Sequence, residues 1–322
     1  MSTQNPGTAD TTPSFPDTGN DAAAEAVCVL SFNAGDASGA GGLAADVAAI
    51  ASVGAHPLAV VTGAYVRDSV AIREHHALDS EAVADQARAV LEDMPVQAIK
   101  VGFVGGPETL GRIAEIAADY DGVPVIAYMP DLSWWREDLI DQYLDAFAEL
   151  LLPQTSVLVG SHALLARWLL PDWEGARDPL PRDLAMAAEA LGVPYLLVTG
   201  VAVPGGQHID NVLASPQAVL ASGRFERIEA SFAGAGDTLS AALAALVATG
   251  CDLGEALAEA LGYLDGCLAA GFRPGMGQAL PDRMFWAQLP DGPDEEKDDD
   301  DTPAGGPPDP AGFEMPPHDT QH

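Results

Sequence analysis

Between residues 27 and 269, short unbroken apolar runs take turns with longer stretches whose apolar residues return every three or four positions. The short runs, 27–32, 59–62, 98–101, 124–127, 157–159 and 195–199, read as strands buried on both faces. The periodic stretches, 40–53, 80–92, 107–118, 137–151, 163–170 and 181–191, read as helices. Strict alternation of this kind predicts parallel strands joined by right-handed crossovers, with helices on both faces. The expected fold class is α/β, a three-layer α/β/α sandwich around a mostly parallel central sheet. The rhythm changes after Thr199. Segments 207–213 and 224–230 read as an antiparallel pair, and helices over 235–248 and 253–269 follow. No internal repeat is present in the sequence.

Composition sharpens the boundaries. Residues 1–25 and 288–322 are rich in Pro, Gly, Asp and Thr and poor in large apolar side chains, so they are expected as disordered tails flanking one domain over 26–287. The chain carries 48 acidic against 14 basic residues, a formal net charge of −34. That charge repels nucleic acid and anionic membranes, and neither is expected as a partner. No apolar run reaches membrane-spanning length. The N-terminus lacks the basic and apolar regions of a secretion signal. Cys28, Cys251 and Cys267 are an odd count in apolar surroundings, which suits a reducing compartment. A cytoplasmic location is expected.

Candidate chemistry concentrates in two places. The stretch Phe232-Ala233-Gly234-Ala235-Gly236-Asp237-Thr238-Leu239-Ser240 runs straight into an Ala/Leu-rich helix. Glycines on both sides of Ala235 permit a tight turn. The N–H groups of Gly234 to Asp237 then stand at a helix N-terminus, where unpaired donors and the helix dipole favour an anion. Asp237 in their midst can take a proton from an attacking hydroxyl while those groups hold a phosphoryl. The same residues also read as a Gly-rich cap in which Asp237 satisfies first-turn donors. The second place is 34–46, where small residues from Gly39 to Gly42 and Ala44 let a helix start close against the sheet and leave room for a flat ligand near Asp36. A plain strand-to-helix turn capped by Asp36 is the other reading.

Together these motifs resemble a family. Gly35-Asp36-x-Ser38-Gly39 followed by Ala45-Asp46 resembles the N-terminal motif of hydroxymethylpyrimidine/phosphomethylpyrimidine kinases. Gly234 to Ala242 is similar to the C-terminal motif of the ribokinase-like superfamily that contains them. Ile99-Lys100-Val101-Gly102 and Gly275-Met276-Gly277-Gln278 also match, so the resemblance spans about 27–286. It implies a ribokinase-like fold, often dimeric, so a homodimer is an expectation. It implies transfer of the ATP γ-phosphoryl, with Mg²⁺, to a small pyrimidine alcohol or its monophosphate in thiamine biosynthesis. Pyridoxal or another pyridine alcohol is the alternative acceptor, and a non-catalytic binding protein derived from a kinase is a further one. By position, the resemblance assigns Gly234, Ala235 and Gly236 to the anion hole and Asp237 to the general base. It assigns Asp36, Gly41, Ala44 and Phe103 to the substrate side, and Thr199, Gly200 and Thr238 to the nucleotide side.

Several positions depart from the family. Pyrimidine kinases often carry Cys where Asp237 stands; a carboxylate base suits a hydroxyl acceptor and repels a phosphate acceptor. Ala44 replaces a Gln and cannot pair with a pyrimidine edge. Phe103 stands where Met is common and reads either as a ring to stack on or as ordinary core. The family's Asn-x-x-Glu is Ser161-His162-Ala163-Leu164, without the acid, and Thr199 replaces a Lys. Asp131, displaced past Pro130, is the remaining carboxylate that could help hold Mg²⁺. Lys100, the only lysine before the acidic C-terminal segment, reads as a buried ion-pair partner. His56, His75, His76, His162 and His208 show no metal spacing and are expected on loops or the surface.

Overall fold

The computed structural model describes residues 26–287. The two expected tails lie outside them. Nine strands form one sheet: β1 (Cys28–Asp36), β2 (His56–Arg67), β3 (Ile72–Ala77), β4 (Ala98–Val101), β5 (Val125–Tyr128), β6 (Val157–Ser161), β7 (Tyr195–Ala202), β8 (His208–Ala214) and β9 (Val219–Glu226). Their spatial order is β3-β2-β1-β4-β5-β6-β7-β8-β9. Strands β2, β1, β4, β5, β6 and β7 are parallel, and β3, β8 and β9 join antiparallel at the two edges. The expected layers are present.

Strand alternation decides which helices meet which face. Leu30, Phe32, Ile99 and Val101 point to one side, where they pack with α2 (Ser80–Leu91), α3 (Pro107–Asp119), α4 (Glu137–Ala146), α5 (His162–Leu169) and α6 (Pro181–Glu189). Val29, Ala98 and Ile126 point to the other, against α1 (Gly42–Ser52), α7 (Ala235–Ala248) and α8 (Leu253–Ala269). Helix α7 is apolar nearly all round because it lies buried under α1 and α8. Its alanines 241, 242, 244 and 245 are fully buried and allow that close approach.

Helix α4 ends at Ala146 rather than at 151, with a π-helical turn over Phe147–Leu151 after it, and two strands differ from expectation. Strand β3, Ile-Arg-Glu-His-His-Ala, was not anticipated, since an edge strand with polar exposed positions shows no apolar run. Strand β9 begins at Val219, earlier than expected. A tight turn in which Ser215 N–H donates to Ala218 O (2.8 Å) folds it back on β8, and the polar-apolar alternation of 219–226 masks it.

Candidate active site

The same alternation that builds the core builds a buried charge cluster. In β1 the positions sharing a side with Val29 are Ser31 and Asn33; in β4 the position sharing a side with Ala98 is Lys100. All three therefore point at α1 and α7. Lys100 Nζ donates to both oxygens of Asp46 (2.7 and 2.8 Å) and to Asp237 Oδ1 (3.2 Å). Ser31 Oγ donates to Asp46 Oδ2 (2.8 Å), and Asn33 Nδ2 donates to Asp46 Oδ2 and Asp237 Oδ1 (2.9 Å each). Gly42 N–H donates to Asp237 Oδ2 (3.0 Å). One cation thus serves two carboxylates. Burial and the neighbouring Asp237 charge push the Asp46 carboxyl up to about 6, against the pull of Lys100 and Asn33. Burial also works to raise Asp237, but Lys100, Gly42 N–H and Asn33 outweigh it and hold this carboxyl below its usual range.

Asp237 lies where β1 and β4 diverge in connection, the switch point at which α/β sheets bind ligands. Its side chain is 16% exposed. The loop before it is closely fitted. Gly234 has φ 81°, and a Cβ there would collide with Ala40 O, so only glycine serves. Arg283 locks this contact: its Nη2 donates to Ala40 O (2.6 Å), Nη1 to Gly39 O (3.0 Å) and Nε to Thr238 Oγ1 (2.8 Å). A Cβ on Gly41 would come within 2.9 Å of Asp237 Oδ2, so the start of α1 abuts the start of α7. Among the described residues the N–H groups of Ala235, Gly236 and Asp237 have no backbone acceptor, as at any first helical turn.

On the nucleotide side, Thr199 and Gly200 meet Ala235 and Gly236 in a cavity of about 350 Å³. Its walls are mostly apolar, with Ile209, Phe225, Leu239 and Leu264 among them, and Glu226, Arg227 and Asp265 add charge. A mostly apolar hollow beside an anion-seeking helix start suits a base joined to phosphates. Thr238 is a correction: it is fully buried, donates to Gly234 O (2.8 Å) and accepts from Arg283, so its hydroxyl props the loop from behind.

On the acceptor side Asp36 and Ala44 line one open hollow, while Phe103 lies apart from it in the core. Asp36 is buried; its Oδ1 accepts from Ser38 N–H and Oγ, its Oδ2 accepts from Gly41 N–H (2.9 Å), and Arg67 pairs with it at 3.4 Å. It shapes the loop from within. Ala44 is exposed on α1 and shares that hollow with Gly35, Asp36, Val47 and Tyr65, away from the α1 side that carries Asp46. Phe103 is 1% exposed, between Tyr65 (5.7 Å, stacked), Trp134, Trp135 and Tyr143, so of its two readings the structure matches core. His75, expected on the surface, joins that aromatic cluster 4.9 Å from Phe103. Burial drives its pKa down to about 4.

Asp131 is exposed and both its oxygens accept from Ser133 (3.0 and 2.9 Å). Among the described residues no three His, Cys, Asp or Glu side chains gather as metal ligands. The donor set does not make a protein-built Mg²⁺ site. Asn33, a polar residue of the β1 end near the Asp36 motif, joins the site, and Lys100, Arg283 and Tyr128 complete it without a motif that marks them. Of these last three, Lys100 left a trace in the sequence, as the solitary lysine of residues 26–287.

The fold is that of small-molecule kinases of the ribokinase type. It superimposes on Bacillus subtilis pyridoxal kinase in an ADP complex with TM-score 0.72, at 18% identity, over 82% of this chain and 100% of that one. For phosphomethylpyrimidine kinase from Clostridium difficile the TM-score is 0.62, at 20% identity, over 75% and 99%. The family model for phosphomethylpyrimidine kinase matches residues 36–282, and the chain belongs to that family. It is 26% identical to the hydroxymethylpyrimidine/phosphomethylpyrimidine kinase of Mycobacterium tuberculosis over 259 residues, 80% of this chain and 94% of the relative. The enzyme of the same name from Rhizobium meliloti is 28% identical over 257 residues, 77% and 93%.

Proposed function

We propose that the protein transfers the terminal phosphoryl group of ATP to the hydroxymethyl group of an aminopyrimidine, or to the phosphate of its monophosphate. The carrying observation is Asp237, held ionised by Lys100, Asn33 and Gly42 at the first turn of α7, beside a nucleotide-sized cavity. In the first of these transfers the acceptor hydroxyl gives its proton to Asp237, and its oxygen forms the new bond to phosphorus. The bond from that phosphorus to the β–γ bridging oxygen breaks, and the electron pair leaves with ADP. The N–H groups of Ala235, Gly236 and Asp237 hold the phosphoryl oxygens, so positioning and electrostatics supply most of the rate. Mg²⁺ enters as part of the nucleotide substrate. Arg67 adds a cation on the acceptor side, next to Asp36 and close to Gly41.

The test is ATP consumption by the purified protein with hydroxymethylpyrimidine, its monophosphate or pyridoxal, with Asp237→Ala as control. Turnover on a pyrimidine that vanishes in the variant supports the reading. Turnover on pyridoxal alone moves the acceptor to the vitamin B6 alcohols. A folded protein that consumes ATP with none of them, yet is thermally stabilised by the small ring and not by nucleotide, is a binding protein.

A further inference from the structure

Tyr128 ends β5, the strand beside β4, and its side chain lies against Gly236 at the start of α7. Its ring lies 5.9 Å from Lys100 Nζ. Its hydroxyl and ring crowd Gly236 so closely that a Cβ there would collide with Oη, Cζ and Cε2. This explains the second glycine of the loop, which has no positive φ to require it. Among the described residues Tyr128 Oη has no hydrogen-bond partner, whereas the nearby Lys100 ammonium is satisfied by Asp46 and Asp237. The residue as a whole is part-buried. Burial and the charges of Asp237, Asp131 and Asp46 keep the phenol protonated. An O–H group with no protein acceptor therefore stands against the Gly236 backbone, in the first turn of α7.

We infer that Tyr128 is a phosphoryl-binding residue of this site: its hydroxyl donates a hydrogen bond to a non-bridging oxygen of the group in transfer and completes the ring of donors begun by the α7 amides. The inference rests on the kinase reading. Tyr128 moves no proton; the acceptor's proton goes to Asp237 and the leaving electron pair to ADP, as above. The hydroxyl adds a neutral donor where negative charge spreads over the phosphoryl oxygens, and it does so without adding a lysine or a metal ligand. Its placement is also rigid, because the ring is wedged between Lys100 and the Gly236 backbone.

The test compares wild type with Tyr128→Phe, which keeps the ring against Gly236. Calorimetry measures binding of ADP with Mg²⁺, alone and with fluoroaluminate as a mimic of the phosphoryl in flight. The expected result is ADP binding within about twofold of wild type and a loss of about 10-fold or more in the extra tightening by fluoroaluminate, since removing one oxyanion donor has cost about 10²–10³ elsewhere. In turnover, kcat should fall by a similar factor with KM for the alcohol unchanged. The thermal midpoint should hold, because no protein hydrogen bond is lost. If Tyr128→Phe keeps the fluoroaluminate gain, or binds the mimic more tightly, the hydroxyl merely covers the loop and the inference fails while the kinase reading stands. If neither pyrimidine is turned over but the mimic still tightens ADP through Tyr128, the acceptor assignment fails and Tyr128 stands. Absence of any fluoroaluminate gain in wild type overturns the role of Tyr128.

Discussion

Asp237 accepts three hydrogen bonds, from Asn33, Lys100 and Gly42. A carboxylate offers about four acceptor positions. One, on Oδ2, is left for an incoming hydroxyl. The three donors aim the carboxylate as well as keep it charged, so the group is a positioned acceptor for a proton that leaves late in a loose transfer. Asp237→Asn preserves the shape and removes the acceptor; kcat should fall by about 10²–10⁴-fold while the affinity for nucleotide stays near wild type. Single-turnover kinetics with parallel nucleotide binding checks this, and an equal loss in both would place Asp237 among the binding groups. Lys100 is the counterpart. Lys100→Met leaves Asp46 and Asp237 as buried anions with no cation between them, and breaking such a pair costs about 3–5 kcal/mol. Urea unfolding should show that loss, and adding Asp46→Asn should restore a large part of it. If the double variant is no more stable than the single one, the loss comes from packing of the lysine stem.

At the scale of elements, the site depends on two helix starts meeting across a strand end. Helix α1 contributes Gly41 and Gly42, α7 contributes Gly234 to Asp237, and Arg283 ties the 39–40 turn to Thr238. Gly234→Ala forces a Cβ into Ala40 O at positive φ, which should destabilise the fold by more than about 1 kcal/mol and raise KM for ATP, since the first-turn amides lose their aim. Steady-state kinetics at varied ATP would expose the change, and an unaltered KM would mean that the loop adapts without cost. The α7 start was readable in the sequence because all its parts are neighbours along the chain: two glycines, an acid and an Ala/Leu-rich helix. Its bounds, and those of α8, agree with expectation for the same reason. The parallel strands were readable because both of their faces are buried. Strand β3 was not, because its edge position asks for no apolar run. Lys100, Tyr128 and Arg283 reach Asp237 only through sheet order and chain return, 137, 109 and 46 positions away along the sequence. Thr238 and Asp36 show the converse. Their position in a motif was legible, but not that backbone partners would consume their polar atoms.

At the scale of the whole molecule, the charge of −34 and two buried titrating groups set the response to pH. Asp46 has its pKa raised from 3.8 to about 6 in the folded protein, so the native state binds its proton first, and this contribution to stability grows as pH falls from about 6 to about 4. His75 does the opposite. It is neutral between the Tyr65 and Phe103 rings, its Nε2 has no partner among the described residues, and its pKa is lowered from 6.5 to about 4. Across that window the unfolded chain takes the His75 proton first, so stability falls as pH falls. The two groups therefore nearly cancel between about pH 4 and 6.5. Repulsion among surface carboxylates adds a further gain on acidification, but those charges are solvent-exposed and are screened within about 3 Å at 1 M salt, whereas the buried pair is not. In 1 M salt, wild-type stability should thus be almost flat over this range. Asp46→Asn leaves His75 unopposed, and its thermal midpoint should drop on going from pH 6.5 to 4.5. His75→Leu leaves Asp46 unopposed, and its midpoint should rise over the same interval. Below about pH 4 all three proteins should lose stability together, as Asp237 and the paired surface carboxylates are forced to protonate. Thermal melts at four pH values would separate these slopes, and parallel curves for the two variants would show that neither buried group titrates where its surroundings place it.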